Sequence, residues 1–535
     1  MTTTISAAVA KRLHDAGCRH AFGIPGGEVV QLVGALNEAG IAVHLVKHEN
    51  CGGFMAEGTW HADRAPAVLF ATIGPGIANA VNVVANAWQD RVPMIVLTAS
   101  VSSKNRHTYT HQVFDHRALF APITKAAFLV EPGTGQVLID KALAIATQGR
   151  PGPVLLDVPV DVQLELASET GQPRVQSQGV TVPSPAEIAR AQSDLAQAKR
   201  PVVLAGLDTV NRRGANSVAA FCEGLIAPLI TTYKAKGVVP EDQPHVLGGA
   251  GLSPLCDEIL LKVIGNSDCV VLAGYDPIEM RVGWQQPFHS AQTVIDIGVE
   301  PNRHFMHQAT TNFTSDVAAT LDLLATELSG LSTWSATDHA ATKAALARVA
   351  RAYEDWGPAA IVDEARQASP RNTIATADSG AHRIVLSQIW QCYEPGGLLQ
   401  SSGFCTMGSA IPLAVGRKIA EPDRPVVAFV GDAGLEMYLG ELATIRDLSL
   451  GIPIVVFVDE QLALIELKQR GLGLDAVAVD FSATNFTAVA HALGGSGIDV
   501  HNRVELRGAL RDAFDRDSFT LISAHIGSRA YEGRI

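Results

Sequence analysis

Apolar residues in this chain fall into short unbroken runs, separated by longer stretches in which they recur every three or four positions. Unbroken runs rich in Val, Ile, Leu and Ala suit strands covered on both faces, and the recurring pattern suits amphipathic helices. Their alternation predicts parallel sheets flanked by helices. The first runs are Ile41 to Val46, Ala67 to Phe70, Met94 to Leu97 and Val154 to Val158. A polar stretch from Ser168 to Pro185 has the composition of a linker. Beyond it the pattern predicts a helix over Pro185 to Ala198, then strands over Val202 to Ala205, Pro228 to Thr232, Cys269 to Ala273 and Thr293 to Ile297. A second soft boundary, rich in Ser and Thr, lies near Leu331 to Thr342. Strands are then expected at Thr373 to Ala377, Val426 to Val430, Ile454 to Val458 and Thr520 to His525. The expected fold class is α/β: three domains with parallel sheets flanked by helices, over residues 1–166, 181–335 and 336–535.

Candidate chemistry stands out in the last third. The run Val426 to Val430 leads into Gly431-Asp432-Ala433-Gly434, and the run Ile454 to Val458 leads into Asp459. Between them Met437, Leu439, Leu442, Ile445 and Leu448 make one helical pattern, ended by Gly451 and Pro453. This reads as strand, tight turn, helix, strand, with a carboxylate at the C-terminal tip of each strand. Ligands of parallel sheets bind at those tips. Two carboxylates beside a small-residue turn suit a hard cation that carries a diphosphate.

Composition narrows the setting. With 47% hydrophobic and 18% charged residues the chain can fill large cores. The net charge of −13, with no segment that concentrates Lys and Arg, argues against nucleic acid or an anionic membrane as partner. Seven scattered cysteines without a Cys-x-x-Cys pair point to a reducing compartment and to neither a disulfide framework nor a zinc site. The amphipathic N-terminus lacks signal-peptide character and no apolar run is long enough to span a bilayer, so a cytoplasmic protein is expected.

Further motifs fix the reading: Gly23-Ile24-Pro25-Gly26, His48-Glu49-Asn50, Gly74-Pro75-Gly76 with Asn79, Asp90 and Pro93, and Gln112 upstream of Thr124-Lys125. Arg150-Pro151-Gly152-Pro153 leading to Asp157-Val158-Pro159, then Met407-Gly408, Glu441-Leu442-Ala443-Thr444 and Gln469 complete the series. With these in order, the chain resembles the thiamine-diphosphate (ThDP)-dependent enzymes of the acetolactate synthase and 2-oxo-acid decarboxylase superfamily over essentially its whole length. The resemblance implies a pyrimidine-binding, a central and a diphosphate-binding domain, in that order. It also implies that Glu49, which alone would read as a solvated loop carboxylate, hydrogen-bonds N1′ of the cofactor. Asp432 and Asp459 become Mg²⁺ ligands, with the backbone carbonyl of Gln461 as the third. Pro75, Asn79, Gly380, His382, Gly431, Ala433 and Gly434 are implied to contact the cofactor, and Met407 to wedge between its rings. Gln112 is implied to face the substrate, among His107, His111 and His116 on a polar loop where one imidazole could shuttle a proton. The implied reaction is decarboxylation of a pyruvate-like 2-oxo acid, with carboligation of the enamine to a second carbonyl. Glu49 is implied to face the metal site of another subunit, so a homodimer or homotetramer is expected.

Three departures from the family pattern matter. Ala433 replaces a usual glycine, Asp459 stands where an asparagine is usual, and Lys468 stands where acetolactate synthases preferring 2-oxobutyrate as acceptor carry a tryptophan. The Lys468 departure keeps a dedicated 2-oxo-acid decarboxylase or lyase open as an alternative. A non-catalytic ThDP-binding paralogue is the reading from another class. In the central segment, Gly274-Tyr275-Asp276-Pro277 and Arg281-Val282-Gly283 echo a domain that holds FAD. Gly249-Ala250-Gly251 lacks the larger residues that would touch a flavin, so FAD is the less favoured option.

Overall fold

The computed structural model describes residues 3–167, 179–326, 328 and 332–535. Among these residues, three six-stranded sheets follow one another along the chain, all their strands parallel. The first holds β1 His20–Ile24, β2 Ala42–Leu45, β3 Ala67–Ala71, β4 Met94–Thr98, β5 Ala126–Leu129 and β6 Val154–Asp157, in the order β2-β1-β3-β4-β6-β5. The second holds β7 Pro201–Ala205, β8 Leu229–Thr232, β9 Val246–Ala250, β10 Cys269–Ala273, β11 Thr293–Gly298 and β12 Thr311–Thr314, ordered β12-β11-β10-β7-β8-β9. The third holds β13 Ile374–Ala377, β14 Leu398–Gln400, β15 Val426–Gly431, β16 Pro453–Val458, β17 Ser496–Val500 and β18 Thr520–His525, ordered β14-β13-β15-β16-β18-β17. The α/β class with parallel sheets flanked by helices is what the apolar runs predict.

Several local expectations change. Residues 168–178 of the polar stretch lie outside the described residues, and its end is a helix start: Ser184 and Glu187 form a reciprocal capping box ahead of helix Pro185–Gln197. Leu331 also lies outside them, and the Ser- and Thr-rich boundary after it contains a second capping box, Ser335 with Asp338, opening helix Ala336–Val349. That helix packs on helix Pro254–Gly265 and β9 of the second sheet. Ser335 there serves an orphan N–H group of a helix rather than a loop. The single helical pattern after Asp432 is two helices, Asp432–Met437 and Glu441–Asp447, broken where Tyr438 leaves the helical region. The tight turn is absent, since β15 runs through Gly431 and the helix begins at Asp432. Met437 consequently faces outward and is 59% exposed, whereas Leu442 and Ile445 are fully buried.

A close helix crossing joins the first and third units. Helix Glu49–Asp63 crosses helix Ala410–Ala420 so closely that a Cβ on Gly58 would lie 2.5 Å from the Leu413 carbonyl oxygen. Reciprocally, a Cβ on Gly416 would lie 1.9 Å from the Met55 carbonyl oxygen. Only glycine permits this approach. A single apolar cluster then runs from Phe54, Met55 and Val83 through Leu413 and Val415 to Val430 and Leu442. No helix among the described residues is long and apolar enough to cross a membrane.

Candidate active site

The tips of β13, β15 and β16 lie side by side and deliver Asp378, Asp432 and Asp459 to one end of the third sheet. A cavity of about 150 Å³ opens there, lined by Gly380, His382, Met407, Gly431, Asp432, Ala433, Gly434, Asp459 and Gln461, with Phe457 and Tyr531. These nine expected cofactor contacts are scattered along the sequence and brought together by the fold. Asp378, which the sequence reading missed, organises them from below. Its Oδ1 accepts from His382 Nε2–H (2.8 Å) and Gly431 N–H (3.3 Å), and its Oδ2 accepts from Gly408 N–H (2.6 Å). Gly434 is required here, because a Cβ would sit 2.2 Å from Asp378 Oδ2.

Asp432 is held by three backbone donors. Oδ1 accepts from Ala433 N–H (2.8 Å), and Oδ2 accepts from Asp459 N–H (3.0 Å) and Glu460 N–H (2.7 Å). Burial pushes its carboxyl up from the ordinary value, and these hydrogen bonds oppose the shift. Asp459 is pushed up to about 8, first by burial and then by the neighbouring Asp432 charge. A charged carboxylate at half-buried Asp459 is unfavourable beside buried Asp432, and a hard divalent ion is the chemistry that favours both in their charged form. Gln461 Nε2 donates to Asp480 Oδ1 (2.6 Å), while its Oε1 is buried without a partner.

The other expected residues form a separate group at the first sheet. Glu49 is the first residue of helix Glu49–Asp63, not a loop residue, and is 4% exposed. Its Oε2 accepts from Asn79 Nδ2 (3.0 Å), and a Cβ on Gly76 would come 3.2 Å from its Oε1. Gly74, at φ +68°, lies beneath Gln112, whose Cβ would be 2.8 Å from an added Cβ. Glu49, Pro75, Asn79 and Gln112 therefore converge on one turn. In a single chain they do not line the Asp432 cavity.

Two motifs acquire a physical reason. Glu441 Oε1 accepts from the backbone N–H of Lys47 (2.9 Å) and His48 (3.1 Å), which pins the start of the Glu49 helix to the third unit. Asp90 accepts from Ser402 N–H (2.9 Å) and Gly403 N–H (2.8 Å) and pairs with Lys234 (3.0 Å), which fixes the segment leading to Met407.

Comparison with known proteins gives the family. Residues 3–119 match the thiamine pyrophosphate enzyme N-terminal TPP binding domain, 188–324 its central domain and 378–524 its C-terminal TPP binding domain. The chain belongs to the thiamine-diphosphate-dependent enzymes. A probable 2-ketoarginine decarboxylase of Pseudomonas aeruginosa is 29% identical, covering 97% of this chain and 94% of that protein. The acetolactate synthase isozyme 1 large subunit of Escherichia coli is 28% identical (96% and 92% covered), and the acetolactate synthase of Bacillus subtilis 27% (96% and 91%).

In this ThDP enzyme the central sheet is tied to the first one. Arg91 Nε donates to Asp276 Oδ2 (2.8 Å) and Arg150 pairs with Asp208 (3.1 Å). Beside the Gly249-Ala250-Gly251 stretch, Met280 Sδ would be 2.4 Å from a Cβ on Gly251 and Lys236 Cδ 3.1 Å from one on Gly249. Of the three clustered histidines, His107 and His111 are exposed as expected of a polar loop, but His116 is not. It opens the short helix His116–Phe120, is 3% exposed and pairs with Asp157. Lys468 is exposed on helix Ala463–Gly471 and points to solvent in the single chain.

Proposed function

We propose that this ThDP enzyme decarboxylates a 2-oxo acid, with pyruvate the default donor, and ligates the retained acyl unit to a second carbonyl, as acetolactate synthases do. The observation that carries the reading is the single cavity into which the third sheet gathers Gly380, His382, Met407, Asp432, Asp459 and Gln461. The residues fit the cofactor. The glycines around Asp378 leave a cradle that a side chain would fill, and the carboxylate pair suits a magnesium ion joined to a diphosphate. Asp432, Asp459 and the backbone carbonyl of Gln461 would hold Mg²⁺. Gly380, His382, Gly431, Ala433 and Gly434 would border the diphosphate, and Met407 would pack against the rings. When bound, ThDP supplies the electron sink that lets CO₂ leave.

The chain's own part is to position and to manage one proton. Glu49, buried and oriented by Asn79, would hold the proton at N1′ of the pyrimidine, with Pro75 and Asn79 beside it. Gln112, seated on the same turn, would meet the substrate. Because Glu49 and the Asp432 cavity are separate in one chain, a second copy would bring them together, which makes a homodimer or homotetramer the working unit. Free cysteines, six of the seven buried, support a reducing, cytoplasmic location. The domain limits proposed are 1–166, 181–335 and 336–535, with the central one as scaffold; no role is assigned to FAD.

A dedicated decarboxylase is the second reading, favoured by the likeness to a probable 2-ketoarginine decarboxylase and by Lys468. Mass spectrometry of products from pyruvate alone, then from mixed 2-oxo acids and aldehydes with ThDP and Mg²⁺, separates the readings. Acetolactate or acetoin supports ligation and free aldehyde supports simple decarboxylation. No product across the panel would indicate a non-catalytic paralogue.

A further inference from the structure

A second cavity, of about 280 Å³, lies at the C-terminal tips of β3, β4, β5 and β6. Its walls are apolar, formed by Ile73, Val101, Val113 and Leu129, and Gln112 stands at its mouth. Its floor is not apolar. His116 Nδ1–H donates to Asp157 Oδ2 (3.1 Å), and both residues are at least nine-tenths buried. That leaves Asp157 Oδ1 and His116 Nε2 buried without any partner, along with Ser100 Oγ and the neighbouring Thr98 Oγ1. Thr98 and Asp157 sit opposite each other in the β4–β6 register, so the four atoms form one patch rather than isolated defects.

Buried polar atoms are nearly always satisfied, and unpaired atoms on three residues that line one cavity, Ser100, His116 and Asp157, call for a ligand or water. The patch has a definite character. A carboxylate oxygen only accepts, and an imidazole whose Nδ1–H is engaged by Asp157 offers Nε2 as an acceptor in its neutral form. Hydroxyls can adapt to either role. A group with several N–H donors is the complement of such a floor, and a methylene chain is the complement of the walls. Arg106 and Arg117 also line the cavity, but both are exposed at the outer side, where solvent screens them.

We propose that this cavity receives the side chain of the substrate and that Asp157 and His116 select a 2-oxo acid whose alkyl chain ends in a guanidinium group. The inference rests on the proposed 2-oxo-acid chemistry and replaces pyruvate, its default donor, by a longer cationic acid. Asp157 and His116 are specificity-determining here.

The test compares pyruvate, 2-oxohexanoate, 2-oxoglutarate and 5-guanidino-2-oxopentanoate as substrates of the holoenzyme, of Asp157→Asn and of Val101→Phe, which fills the cavity without touching the floor. The wild type should favour the guanidinium acid over 2-oxohexanoate in kcat/KM by at least roughly tenfold, the scale of hydrogen bonds to a charged group. Both variants should lose that preference through KM, with kcat less changed. Equal use of the two acids, a preference for 2-oxoglutarate, or variants that slow all acids in parallel would overturn the proposal. If no acid is turned over, the catalytic reading fails instead. Calorimetric titration with 5-guanidinopentanoate, which lacks the keto group, then decides the cavity alone: binding lost in Val101→Phe supports it, and no binding to wild type overturns it.

Discussion

Replacing Asp432 by Asn separates two roles that the structure superimposes on one carboxylate. Its two oxygens accept three backbone N–H groups, two on Oδ2 and one on Oδ1. An amide has one acceptor oxygen. If that oxygen keeps the pair from Asp459 and Glu460, the amide nitrogen faces the Ala433 N–H, losing one hydrogen bond and leaving a donor unpaired. The cost is about 1–3 kcal/mol, read as a fall of a few degrees in the melting temperature of the cofactor-free protein. Loss of a charged metal contact weakens Mg²⁺-dependent ThDP binding by a further 1.5–3 kcal/mol or so, roughly 10- to 150-fold. Asp459→Asn supplies the contrast. Burial and Asp432 hold the Asp459 carboxyl up at about 8, so a neutral amide relieves repulsion. The cofactor-free protein should then melt no lower than wild type, while Mg²⁺ affinity still falls. Differential scanning calorimetry and isothermal titration of ThDP with Mg²⁺ measure both quantities. Wild-type ThDP affinity in Asp432→Asn would refute the assignment of this carboxylate to the metal.

Chelation with EDTA should abolish calorimetric ThDP binding and added Mg²⁺ should restore it; binding indifferent to EDTA contradicts a metal-anchored diphosphate. Burial, opposed by Lys234 and reinforced by Asp90, raises the Glu57 carboxyl to about 8. Between its ordinary value and that point the folded state binds the extra proton, so the stability this group contributes is lost as pH rises through the window. Glu57→Gln keeps the acceptor for Asn86 (2.9 Å) and should melt above wild type near pH 8.5, with the gap closing toward pH 5; a constant gap contradicts the linkage. Gly416→Ala forces a Cβ against the Met55 carbonyl and should cost about 1–3 kcal/mol or more by overpacking. An unchanged melting temperature would show that the helix crossing tolerates a wider spacing.

The interior strands were legible because burial on both faces leaves unbroken apolar runs. Five of the six strands that the pattern did not announce, β5, β9, β12, β14 and β17, are sheet edges, and sequences such as Thr311-Asn312-Phe313-Thr314 or Ser496-Gly497-Ile498-Asp499 mix polar residues into them. The sixth, β1, carries Gly23, whose bare Cα lets Phe70 of β3 approach. Asp432 and Asp459 could be read from residues alone because each ends an apolar run. Asp378 ends one too, after β13, but no second carboxylate or glycine cluster beside it drew attention in the sequence. Glu49 was visible only through resemblance, since its glycine-rich helix, buried along nearly its whole length, has no amphipathic stripe. His116 could not be told from its exposed neighbours, because what buries it is Asp157, far away in sequence.

If Glu49 of one copy completes the site that Asp432 anchors in another, co-expression of Glu49→Gln with Asp432→Asn restores activity that neither variant has alone. Mixed dimers isolated through two different tags would hold one site with both defects and one with neither. They should show about half the wild-type specific activity, although each parent is nearly inactive. Mixed dimers as inactive as the parents would mean that both residues act within the same chain, and would contradict a shared site.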